Sequence, residues 1–152
     1  VAKGTFFAHF ADKDALMDML IGQRIDSCLD EAELLAAPSS VSGLVEALMP
    51  LVRFMTCERY VFDVILRYSG AAAVEEIGHI ATTFGRHERI VADWIAAGPF
   101  RRDVSPQLLS EGVQAFSVQS MALHFCALHN TQSLHDRLLT YLRAWLVLPP
   151  AG

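Results

Sequence analysis

An all-α fold is what this sequence predicts, on three observations. Apolar residues recur at intervals of three and four along nearly the whole chain. No run alternates apolar and polar residues in the manner of a half-buried strand. The breaks in the pattern fall at Pro, Gly and Ser clusters, the residues that end helices.

The first predicted helix covers residues 15–36 with Asp12 as its N-cap, and its stripe is Ile21, Ile25, Cys28, Ala32 and Leu35. Pro38-Ser39-Ser40 ends it. A second follows over 42–54. Pro50 falls inside it and is expected to kink or end it, because proline removes a backbone donor and crowds the preceding turn. A short third helix spans 57–68 and stops near Gly70. A long fourth spans 72–97, with Ile77, Ala81, Phe84, Glu88, Val91 and Ile95 on one line, and stops at Gly98-Pro99. Ser105-Pro106 starts a fifth by the usual pairing of a serine cap with proline at the first helical position. It runs to His129, with Asn130 as its C-terminal cap, and is apolar on more than one side. The sixth covers 133–148. Leu134, Leu138, Tyr141, Trp145 and Leu148 form one stripe, Leu139, Leu142 and Leu146 a second, and Pro149-Pro150 closes it.

The chain has 152 residues, enough for one core. It is 53% hydrophobic and 19% charged, so either its helices are deeply buried or a broad apolar face meets a partner. There is no run of eighteen apolar residues and no signal-peptide core. Cys28, Cys57 and Cys126 have neither CxxC nor zinc spacing and read as reduced thiols. A cytoplasmic protein without a membrane partner is expected. The net charge of −5 is unevenly spread. Lys3 and Lys13 against Asp12 leave residues 1–13 at +1 and the remainder at −6, so only the N-terminal end suits phosphates.

That end reads Lys3-Gly4-Thr5-Phe6-Phe7-Ala8-His9-Phe10, then Asp12-Lys13-Asp14-Ala15-Leu16. It resembles the close of the DNA-binding region in the tetracycline-repressor-like (TetR) family. There a K-G-T-[FL]-Y-x-[HY]-F recognition helix is followed by [SDN]-K-[DE]-x-L at the start of a long helix. The likeness covers about fourteen residues, and beyond Leu20 only the architecture agrees. Phe7 stands where the family usually has tyrosine, so one phosphate contact is in doubt. The residue chemistry is consistent with a groove reader: Gly4 permits close backbone approach, Thr5 and His9 can donate to phosphate, and Lys13 can neutralise one. Lys3, Gly4, Thr5, Phe7, His9 and Lys13 are therefore the candidate DNA contacts. The resemblance further implies two helices before Lys3. Residues 1–11 are accordingly read as the remnant of a helix-turn-helix, and 12–152 as a ligand-binding and dimerisation domain whose last two helices form a dimer's four-helix bundle. Phe125, Leu138, Tyr141, Leu142 and Trp145 are the candidate dimer contacts.

The effector pocket is sought among aromatic and polar groups of the middle helices: Phe54, Tyr60, Arg67, Thr83, Phe84, His87, Phe116, Gln119 and Ser120. Glycines 78, 85 and 112 are expected inside helices, where they mark close packing or room for a ligand. Glu76 and His79 make one Glu-x-x-His half-motif of a di-iron bundle, but no second copy exists. No nucleophile elbow, P-loop or dinucleotide fingerprint occurs. The expected protein is a ligand-responsive repressor, a homodimer released from operator DNA by a small apolar effector, not an enzyme and without cofactor or metal. The alternatives are a helical metal protein or enzyme built on Glu76 and His79, and a regulator that answers to a protein partner.

Overall fold

The computed structural model describes residues 13–69, 77–129 and 131–149, and these form an all-α fold. Among the described residues the helices are α1 (Lys13–Glu33), α2 (Val41–Met55), α3 (Arg59–Tyr68), α4 (His79–Ala97), α5 (Pro106–His124) and α6 (Leu134–Leu146). None of them is long and apolar enough to cross a membrane.

Local chemistry accounts for several ends. Ser40, Ser105 and Ser133 cap α2, α5 and α6, each side chain accepting a backbone N–H at 3.0, 3.3 and 3.0 Å respectively. At the C-terminus of α4 the Arg102 guanidinium donates to the carbonyls of Ala96 and Gly98, both at 2.7 Å, and so satisfies acceptors that the helix leaves open. The Asp12 and Asn130 caps lie outside the described residues.

Four expectations change. α2 continues through Pro50, because one missing donor is outweighed by a buried face of eight residues from Val41 to Met55. The fifth helix ends at His124, about a turn early. Ile77 precedes α4 and is exposed, so it is no part of that helix's apolar line. Gly78 is the N-cap of α4 rather than an interior residue.

The core is assembled chiefly from α1 against α4, α4 against α5, and α5 against α6, with α2 packed on α1 and α6. On α6 the buried line is Leu138, Leu142 and Leu146, all without exposed surface. This line draws one residue from the first sequence stripe and two from the second. Steps of four trace one face of a helix, and that face lies on the chain's own core. Leu138 and Leu142 therefore have no surface to offer a partner, which corrects their assignment to a dimer contact. Phe125 is half-buried, with its ring 5.6 Å from Phe62 in the same chain. Tyr141 and Trp145 are half-exposed. Phe116 lies 5.1 Å from the Tyr141 ring and 6.0 Å from that of Trp145. The Trp145 indole N–H donates to the Leu109 carbonyl at 2.9 Å, and Gly112 leaves the space that its ring occupies.

Candidate functional site: a two-chambered crevice

α2 and α4 both pack on α1 and α5 but are not closely packed on each other. The gap between them is a crevice with two chambers. The outer chamber, about 160 Å³, is walled by Cys28, Leu29, Glu31 and Ala32 of α1 and Leu35 just beyond it, by Ala47, Leu48 and Pro50 of α2, and by Ile90 and Trp94 of α4. The inner chamber, about 20 Å³, lies against Ile25, Val52, Met55, Thr83, Phe84, Gln114, Ser117, Val118 and Met121. Leu51 and His87 line both.

His87 is thus the partition. It keeps part of its surface, yet the walls on either side desolvate the ring, and burial pushes its pKa down to about 4. It is neutral across the physiological range and makes no hydrogen bond among the described residues. Burial likewise raises the pKa of the Cys28 thiol, which makes it an apolar wall rather than a nucleophile. Thr83 is buried and its hydroxyl donates to the Ile80 carbonyl at 2.6 Å. Ser117 donates to the Val113 carbonyl at 2.8 Å. Gln114 Oε1 is buried without a hydrogen-bond partner.

The crevice gathers three of the sequence candidates, Thr83, Phe84 and His87. The others do not line it. Phe54 sits under the Arg24 guanidinium, 5.8 Å from the ring centroid. Tyr60 is exposed and lies 5.3 Å from the Lys13 ammonium. Arg67 is drawn to Asp14 at 3.2 Å. Phe116 belongs to the aromatic cluster with α6, Gln119 is exposed, and Ser120 is fully buried with an unpartnered hydroxyl outside the crevice walls. Sequence reasoning missed Gln114 and Ser117. The sequence held no signal for them, because α5 also carries Gln107, Ser110, Glu111, Gln119 and Ser120.

The opposite flank of α4 meets α1 through charge. Asp18 of α1 accepts from the backbone N–H groups of His79 and Ile80 at 3.0 and 3.2 Å, and so caps α4 from another helix. Gly78 is required there, because a Cβ would stand 2.8 Å from the Asp18 carboxylate. Arg86 reaches Asp26, Asp30 and Glu33 at 3.0, 2.7 and 2.8 Å, and His79 Nε2 lies 2.5 Å from Asp26. The hydrogen bonds that Arg86 donates to Glu33 and Asp30 raise its pKa further and keep the guanidinium charged. Burial works to raise the Asp26 pKa, but the bonds and charges of His79 and Arg86 outweigh it and the net shift is downward. His79 is therefore engaged in a helix–helix seam. Glu76, the other half of the Glu-x-x-His motif, lies outside the described residues, and no cluster of three metal-ligating side chains occurs among those described. Lys13 heads α1, while Lys3, Gly4, Thr5, Phe7 and His9 lie outside the described residues.

Comparison with protein families, with curated proteins and with solved structures returns no match for this chain.

Proposed function

We propose that this chain is the effector-binding and dimerisation part of a cytoplasmic, TetR-like repressor, a binding module rather than an enzyme. A small, largely apolar molecule occupies the crevice and changes the fit of the paired readers to operator DNA. One observation carries the reading: α1 is at once a wall of the crevice, through Ile25, Cys28, Leu29 and Ala32, and the helix that begins at Lys13, beside the reader-like segment. A ligand that favours one placement of α1 over another shifts the reader by its differential affinity and by no more than that. The half-exposed Phe116, Tyr141 and Trp145 cluster is the surface that a second copy would cover.

The test is thermal. Neutral apolar compounds of single-ring size are titrated into the purified chain while its melting is followed. An occupant at a hundred times its Kd stabilises the native state by about 2.7 kcal/mol. Phe84→Ala weakens that shift and Phe116→Ala leaves it unchanged, since only Phe84 lines the crevice. No shift with any compound removes the pocket reading. On this reading Lys13→Ala lowers the repressor's affinity for all duplex sequences alike and reduces the salt slope by about one. Unchanged affinity and slope would take Lys13 off the DNA.

A further inference from the structure

Resting on the crevice as a ligand site, we infer that its outer chamber takes an organic monocation, with the Glu31 carboxylate at the rim holding the charge. The ligand has an apolar body of single-ring size and one ammonium group. The chamber is graded along its depth. Its floor is apolar, with Leu29, Leu48, Leu51 and Ile90 all buried. Glu31 and Leu35 are exposed and belong to its mouth. Among the described residues no Lys or Arg lines it, and Glu31 is its only carboxylate.

The charges at the end of α1 give a second, independent argument. Its last turn carries Asp30, Glu31 and Glu33 and no base. The C-terminal end of a helix is the negative end of its dipole, so three carboxylates there are unfavourable unless cations meet them. Arg86 meets two of them, Asp30 at 2.7 Å and Glu33 at 2.8 Å. The Glu31 carboxylate makes no ion pair or hydrogen bond among the described residues, and Arg24 of the same helix stands over the Phe54 ring instead. Burial chiefly raises the Cys28 thiol pKa; Arg24 opposes this and the Glu31 charge adds to it, so the field of the carboxylate reaches the chamber wall. An unmet carboxylate at the rim of an apolar chamber is complemented by a cation with an apolar body, and the net charge of −5 favours its approach.

Depth sets the orientation. About 160 Å³ is the space that takes a benzene-sized body. The surroundings that hold His87 neutral above about pH 4 penalise a charge at the inner end. The ring therefore leads inward between Leu48 and Trp94, and a short arm leaves the ammonium in the wet mouth beside Glu31.

Calorimetry on the purified chain tests this with three ring probes that differ in charge: phenethylamine, phenethyl alcohol and phenylacetate. A fourth probe, methylammonium, has the charge without the body. At low ionic strength phenethylamine should bind about threefold tighter than the alcohol and about tenfold tighter than phenylacetate, as suits a partly exposed ion pair. Both margins should shrink in high salt. Glu31→Gln should melt no lower than the parent, bring phenethylamine level with the alcohol and leave the alcohol unchanged. Glu31→Lys should put phenylacetate first. If the parent binds the alcohol as well as the amine, or Glu31→Gln keeps the amine's preference, the crevice stands as an apolar ligand site and the charge inference falls. If methylammonium binds as tightly as phenethylamine, the attraction belongs to the acidic surface rather than the chamber, and the inference falls again. Binding of none of the ring probes overturns the site itself and this inference with it.

Discussion

The two flanks of α4 are built on opposite principles. Toward α1 it presents His79 and Arg86 to three carboxylates, and Asp18 accepts from the backbone N–H groups of its first turn. Toward α2 it presents Phe84, His87, Ile90 and Trp94 to a space that nothing among the described residues fills. The charged flank is specific in geometry but lies partly in water, so its strength is modest and screened by salt. The open flank is largely apolar, and an occupant there acts on the native state directly. α4 is therefore tied on one side and left responsive on the other.

Acid separates the flanks most sharply. The His87 pKa of about 4 lies below the ordinary 6.5, so between those values the unfolded chain takes up a proton that the native chain refuses. Stability is intact above about pH 6.5 and falls as the pH is lowered toward 4, by about 3 kcal/mol in all. His87→Leu should remove that fall in urea melts. The seam answers lower down. Asp26 has a depressed pKa, so its contribution is present above the ordinary carboxylate value of 3.8 and is lost as the pH falls through its lower folded value. A parent protein as stable at pH 5 as at pH 7 would contradict the buried, neutral His87.

Gly22→Ala probes the fit of the seam. A Cβ there stands 2.6 Å from His79 Cγ, and His79 is held by Asp26 and by the first turn of α4, so it has little room to retreat. A loss of about 2 kcal/mol is expected, with the melting midpoint lowered at every salt concentration. Smallest is Arg86→Met, which removes a guanidinium held by three carboxylates while keeping most of the apolar stem. It should cost about 1 kcal/mol at low ionic strength and less in high salt. An Arg86→Met loss that ignores salt would mean that packing, not charge, joins α1 to α4.

Three residues of the candidate site were named before any coordinates. Thr83, Phe84 and His87 recur on one face of a helix that the sequence delimits at its C-terminal end by Gly98-Pro99, and a polar pair on an apolar face marks a wall. Phe54, Tyr60, Arg67 and Phe116 have the same residue chemistry and end up elsewhere, because composition does not say which of several helix faces converge. Gln114 and Ser117 were hidden for the converse reason. Their meaning arises only when α5 closes the end of the crevice.

Alone, the sequence determined the helical class, most of the helices and the serine cap with proline that begins α5, because these depend on neighbours within four residues. It also determined that the chain is apolar enough for multiply covered helices. Only the tertiary structure decided which face of α6 is core, since two adjacent stripes are equally apolar and the line Leu138, Leu142, Leu146 is chosen by what packs against it. Only it could supply the Asp18 cap on α4, the Arg86 cluster and the need for glycine at 22 and 78, because each joins residues more than fifty positions apart. Periodicity records the direction in which a side chain leaves its own helix; what it meets there is set by where the other helices lie.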